Sequence, residues 1–259
     1  MTREPIHWSI LKSIGRSPAH YKYAAEHPFE ATAAMRLGTA MHFLLLGPAD
    51  PVIVFDGSSR RTKEWAKFKA ATLEANPRST ILLEDEMEMA TAMAAAVLRC
   101  PDAMAALVGA HELSLEWTIA GRACAGRLDA IGPTTLCDLK STRDASPARF
   151  PWQVRSLDYA AQLGWYYDGA IAAGRPAPSK VSIVAVESAP PHCVVVYDLS
   201  DEMLTMGRQR ARALLEQLLV CEASDEWPGY AQSPIVLDVT EQDGDAGLDF
   251  GDGEQEAAQ

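Results

Sequence analysis

Cysteine is scarce in this sequence. The five thiols, Cys100, Cys124, Cys137, Cys193 and Cys221, are odd in number, widely scattered and without a Cys-x-x-Cys pair. That spacing excludes a zinc knuckle and a disulfide framework, and it leaves buried, reduced thiols as the expectation. No apolar run approaches the roughly 18 uninterrupted residues of a membrane helix. The opening MTREPIHWSILKS has no apolar stretch with a small-residue cleavage site, so no signal peptide and a cytoplasmic protein are expected. Positive charge is also short: 23 Lys and Arg stand against 35 Asp and Glu, a formal charge of −12. The deficit is uneven. Asp238, Glu241, Asp243, Asp245, Asp249, Asp252, Glu254 and Glu256 lie beyond residue 237 with no Lys or Arg among them. Taking those eight from the total leaves −4 for residues 1–237. A body near neutrality can still carry a basic groove, because local potential decides which ions bind.

What is present is enough apolar residue, 48% of 259, for a full core. The N-terminal third reads helical, with Ser17-Pro18 as a helix start and helices over residues 32–46, 62–75 and 84–99. In ELSLEWTI (112–119) the period changes: Leu113, Leu115, Trp117 and Ile119 alternate with polar residues, the mark of a half-buried strand. ACAGRLDAIG and TTLCDLKST follow after tight turns, which predicts an antiparallel meander. A long helix is expected over 156–173, strands over 180–187 and 193–199, and a closing helix over 201–222. The order gives an α/β core with a helical N-terminal extension. It reads as one domain over residues 1–237, mostly helical over 1–100 with the core over 111–222. Residues 238–259 read as an acidic, disordered tail.

The chemistry-bearing pattern is GRLDAIGPTTLCDLKST. Asp129 falls on one strand; Asp138 and Lys140 fall on the next, two residues apart and so on one face. The turn at Gly132-Pro133 can bring Asp129 alongside. Two carboxylates at one place repel, and a divalent cation offsets that repulsion. Asp129, Asp138 and the backbone carbonyl of Leu139 are the expected ligands. Magnesium, with manganese as a substitute, suits such oxygen donors and phosphodiester hydrolysis. Lys140 is expected to orient the attacking water or to stabilise transition-state charge. A bare Asp-x-Lys is also what a surface ion pair looks like, and the Gly-x-x-Asp upstream is what separates the two readings.

Those residues resemble the PD-(D/E)xK nuclease superfamily, and within it the RecB-like branch and the RecE-type phage and prophage exonucleases. SPAHYKYA (17–24), GTAMH (38–42), YAAQLGWYYDG (159–169), VAVESAPPHCVVVYDLS (184–200) and EWPGY (226–230) match further segments in the expected order. Leu128 stands where the superfamily name has a proline. The resemblance implies a restriction-endonuclease-like core, a central mixed β-sheet flanked by helices. It implies His42 as a metal ligand, which the residues alone would read as a core histidine. Gln162 would contact the metal-bound water or the phosphate, and Tyr159 and Tyr166 would line the DNA groove. A glutamate on the strand before Asp129 would join the catalytic set; Glu112 is the better match, with Glu116 on the same face as the other choice. Arg143, Arg149 and Arg155, which follow the Asp-x-Lys strand, are expected near incoming DNA or on a solvated loop.

The implied activity is magnesium-dependent exonuclease digestion of linear double-stranded DNA, 5′ to 3′, leaving 3′ overhangs for recombination. The implied assembly is a homo-oligomeric ring acting on DNA ends; the acidic tail, for its part, could dock a basic partner such as a single-strand annealing protein. A RecB- or Cas4-like nuclease on single strands, or an endonuclease, is the second reading. The Cas4-like kind usually holds an iron–sulfur cluster, for which the cysteine spacing does not provide. A catalytically inactive DNA-binding module is the third, opposed by the intact Asp, Asp, Lys, His and Gln set.

Overall fold

The protein is described by a computed structural model over residues 4–27, 30–47, 50–231 and 233–236. The chain opens with a short strand β1 (Ile6–His7) and helix α1 (Trp8–Leu11), then a 3-10 turn over Lys12–Gly15. Helix α2 (Pro18–Glu26) begins as its Ser-Pro predicts, with the Ser17 hydroxyl accepting from the His20 backbone N–H. Helix α3 (Ala33–Leu46) is capped in the same way by Thr32. Next come β2 (Val52–Phe55), α4 (Lys63–Ala75), β3 (Thr80–Leu83), α5 (Glu84–Leu98) and α6 (Pro101–Ala106). The core follows as β4 (Ala110–Ile119), β5 (Arg122–Ile131), β6 (Thr135–Thr142), α7 (Phe150–Ser156), α8 (Tyr159–Ala172), β7 (Lys180–Glu187), β8 (Val194–Asp198) and α9 (Asp201–Ser224).

The main sheet is mixed and flanked by helices. β4, β5 and β6 form the expected antiparallel meander, β7 runs parallel to β6, and β8 returns antiparallel to β7. β7 is buried on both sides. Val184 and Val186 pack with Leu37, Met41, Met93 and Val97 of α3 and α5, while Ile183 and Ala185 pack with Phe150 and Leu163. Helices α8 and α9 touch through Gly164 and Gly207. A Cβ at Gly164 would lie 2.5 Å from the Arg208 backbone nitrogen, so only glycine permits this approach.

Three expectations needed correction. The N-terminal third holds three strands as well as helices. β2 and β3 pair in parallel as a small separate sheet, and β1 adds to β5. All three are two to four residues long, too short to show a period. The helix expected over 156–173 is α8, and a short helix that the sequence reading did not include, α7, lies before it; the two are separated at Asp158, whose φ of 55° is left-handed. And not every thiol is buried: Cys193 is exposed and Cys100 half-buried, although all five are free. No described helix is long and apolar enough to cross a membrane. The acidic tail lies outside the described residues, apart from its approach at 233–236.

Candidate active site

The site exists because β5 is shared unevenly. β4 pairs along one edge of β5 for nearly its whole length. The other edge takes β1 at Cys124 and Ala125 and β6 only at Ala130 and Ile131. Between them, among the described strand pairs, residues 126–129 have no partner, and the sheet opens into a cleft of about 820 Å³. Gly126 keeps this opening narrow. A Cβ there would come within 2.8 Å of the Tyr166 ring, so glycine lets α8 lie over the gap.

Asp129 stands on the lip of the gap. It is 9% exposed, and its Oδ2 accepts from the Leu139 backbone N–H at 2.7 Å, a bond that β6 would otherwise have made to a strand. Glu112 faces it from β4. His111 pairs with Ala130 and Leu113 with Leu128, which leaves Glu112 opposite Asp129. Its φ of 49° is left-handed, a conformation that costs a non-glycine residue about 1–2 kcal/mol. Strain of this kind is retained where the surroundings impose it. Helix α3 supplies His42, whose Nδ1 lies 3.4 Å from Glu112 Oε1 and 3.6 Å from Asp129 Oδ1. Its Nε2 donates to the Leu139 carbonyl at 2.8 Å. Ligand atoms of His42, Glu112 and Asp129 all lie within 4.8 Å of one another.

Asp138 and Lys140 lie on the α7/α8 side of β6. Asp138 is 2% exposed, and its Oδ2 is 2.6 Å from Lys140 Nζ. Gln162 donates to Asp138 Oδ1 at 3.4 Å and to the Tyr166 hydroxyl at 3.2 Å. The Lys140 ammonium sits 4.9 Å above the Tyr159 ring. Gln153 donates to the Tyr159 hydroxyl at 3.2 Å and accepts from Thr142 at 2.6 Å, which steadies the ring.

Charge and burial set the protonation states. Burial raises the Asp138 carboxyl, Lys140 pulls it down and Asp129 raises it again; the balance is about 6. Burial opposes a charge on Lys140, but Asp138 and Asp129 outweigh it and hold its pKa above the usual lysine value. Burial also opposes a charge on His42, yet the Asp129 and Glu112 carboxylates push its pKa up to about 9. Burial and then Asp138 push Tyr166 up to about 12, so that hydroxyl remains neutral.

His42, Glu112, Asp129, Lys140, Gln162, Tyr159 and Tyr166, drawn from separate parts of the sequence, thus line one cleft, with Asp138 beneath it. Two details differ from expectation. Glu112, not Asp138, completes the group with His42 and Asp129. The Leu139 carbonyl accepts from His42. Glu116 is exposed on the cleft wall, so between the two glutamates it is Glu112 that faces the site. Arg143, Arg149 and Arg155 are exposed and do not line the cleft; Arg155 lies over the Trp152 ring instead. Sequence reasoning missed Gln153 and Arg127. The Nε of Arg127 is 3.0 Å from Glu112 Oε2, and no local pattern marks either contact.

A mixed sheet split around an aspartate and an Asp-x-Lys strand is the arrangement of the PD-(D/E)xK nuclease superfamily. The chain belongs to the family described as PDDEXK-like domain of unknown function (DUF3799), whose model matches residues 8–235. A solved structure from Eubacterium rectale, labelled a candidate exonuclease, shares the fold with a TM-score of 0.63. The two are 14% identical over 95% of this chain and 94% of that one. A second structure, SSO0001, is 12% identical over 81% and 85% of the two chains, with a TM-score of 0.31. Among curated proteins none matches.

The donor set fits a divalent cation, as members of this superfamily use. Two carboxylates and an imidazole converge, and the imidazole already gives its other N–H to a backbone carbonyl, the usual way a metal-ligating histidine is fixed in one tautomer.

Proposed function

We propose that this chain is a divalent-cation-dependent exodeoxyribonuclease that digests linear double-stranded DNA from its 5′ ends and leaves 3′ overhangs for recombination. The observation that carries the reading is the convergence of His42, Glu112 and Asp129 beside the Asp138–Lys140 pair. In this reading Glu112, Asp129 and the His42 imidazole would hold the cation, with Asp138 beside them. A divalent cation held there would polarise the scissile phosphate and make a nearby water more acidic. Magnesium is the physiological choice for oxygen donors, and the imidazole makes manganese the tighter binder.

The protein's own groups do the rest. Lys140, half-buried and charged, presents its ammonium to the phosphate as negative charge develops there. Gln162, beside Asp138, orients the attacking water. Tyr159 and Tyr166 bound the groove on its α8 side. Arg143, Arg149 and Arg155, exposed beyond β6, contact the duplex outside the cleft. The working form is a homo-oligomeric ring on a DNA end, and a single-strand annealing protein receives the overhang.

Duplex labelled at either its 5′ or its 3′ ends tests the reading. Magnesium-dependent release of 5′ label first, from linear but not closed circular DNA, is expected. Rapid cutting of closed circles would make the protein an endonuclease, and first release of 3′ label would reverse the polarity.

A further inference from the structure

Glu112 is the costliest member of the cation cluster to place. It sits in a left-handed backbone conformation, so the strand alternation that orients its neighbours does not orient it. Its side chain is held from behind. Arg127 Nε lies 3.0 Å from Glu112 Oε2, while Arg127 NH1 lies 2.8 Å from Asp50 Oδ2. Asp50 Oδ1 in turn lies 3.2 Å from Nε of the largely exposed Arg78. The fork of a guanidinium thus bridges two carboxylates and leaves Glu112 Oε1 facing His42.

We propose that Arg127, anchored by Asp50, is a positioning residue that holds Glu112 as a cation ligand. The inference rests on reading the cluster as a cation site. Two effects of Arg127 oppose each other. Its positive charge near the cluster repels a cation, whereas its fork holds the ligand in place. Removal of the charge alone would tighten cation binding; loss of the fork would loosen it, because Glu112 would have to be ordered at the moment of binding. Outer groups that orient a metal ligand typically account for 10–100-fold in affinity.

Calorimetric titration of the full, metal-free chain with Mn2+ separates the two. Arg127→Gln is expected to bind about 10–100-fold more weakly than wild type, despite the lost positive charge. Arg127→Lys keeps the charge but not the two-armed reach, and should be weakened as well. Asp50→Asn, which frees the far arm, should lose less. Melting in chelator checks that each variant is folded; should Arg127→Gln melt well below wild type, Arg127→Lys and Asp50→Asn carry the test. Mn2+ binding by Arg127→Gln as tight as wild type or tighter, with Arg127→Lys unchanged, would overturn the inference and leave the cation site standing. Failure of wild type to bind Mn2+ would instead overturn the site reading on which the inference rests.

Discussion

The two aspartates of the site sit on adjoining strands and meet opposite fates. Asp129 faces an imidazole and a second carboxylate, and its Oδ2 accepts from the Leu139 N–H. Asp138 faces an ammonium 2.6 Å away and an amide, and it is almost wholly buried. One side of the split therefore gathers negative charge around a histidine; the other has its charge already matched. The difference shows how a single fold feature, the early parting of β5 from β6, builds two electrostatic environments within a few ångströms. The first side, where two carboxylates surround a histidine that can give up its proton, suits a divalent ion. The balanced side suits a lysine that must stay charged in a half-buried place.

The contrast breaks most sharply at Asp129. Asp129→Asn keeps an acceptor for the Leu139 N–H, so the fold should persist, while nuclease activity should fall by about 1000-fold. Near-normal cleavage by a purified Asp129→Asn protein would show that the cation lies elsewhere. On the matched side, Lys140→Met should lower kcat by roughly 100–1000-fold with little change in KM, since the charge acts on the transition state. Equal losses in both would reduce Lys140 to a phosphate contact.

The histidine sharpens the comparison through pH. His42 is protonated in the metal-free protein, with a pKa of about 9, and must lose that proton to offer Nδ1 as a ligand. Cation binding should release a proton, and the apparent affinity should rise about tenfold per pH unit through neutrality and level off near pH 9. Calorimetry in buffers of different ionisation enthalpy reads the proton directly; no proton released would remove His42 from the ligand set.

The smallest effect is on stability in chelator. The raised His42 pKa contributes stability that is complete below about pH 6.5 and is lost as pH climbs through 9. Asp138, also raised, contributes stability that is complete below about pH 4 and is lost through pH 6. The metal-free melting temperature should therefore decline from mildly acid to alkaline pH, and saturating Mn2+ should remove the alkaline part of the decline. A metal-free melting temperature that rises over the same range would contradict both assignments.

Much of this was legible in the sequence, and for a physical reason. The meander over β4, β5 and β6 shows as period-2 alternation broken by Gly121-Arg122 and Gly132-Pro133, signals that need only neighbours in sequence. Asp138 and Lys140 follow from that period. His42 and Gln162 were reached through the family resemblance of GTAMH and YAAQLGWYYDG, not through spacing. What stayed hidden depends on distant contacts or on a broken rule. Period 2 puts Glu112 and Glu116 on one face, so spacing leaves the choice of Glu112 to the resemblance and does not show its left-handed φ. Arg127 in GRLD looks like any strand arginine until Asp50, 77 residues away, is folded beside it. β1 is two residues long, and its pairing with β5, which helps to frame the gap, leaves no pattern to read.

Parallel digestion of linear duplex DNA by wild type and by Asp129→Asn, each in chelator, magnesium and manganese, tests the central claim most directly. Cleavage by wild type in either cation, none in chelator and almost none by the variant is the predicted result. Equal cleavage by both proteins, or cleavage by wild type undiminished in chelator, would contradict it.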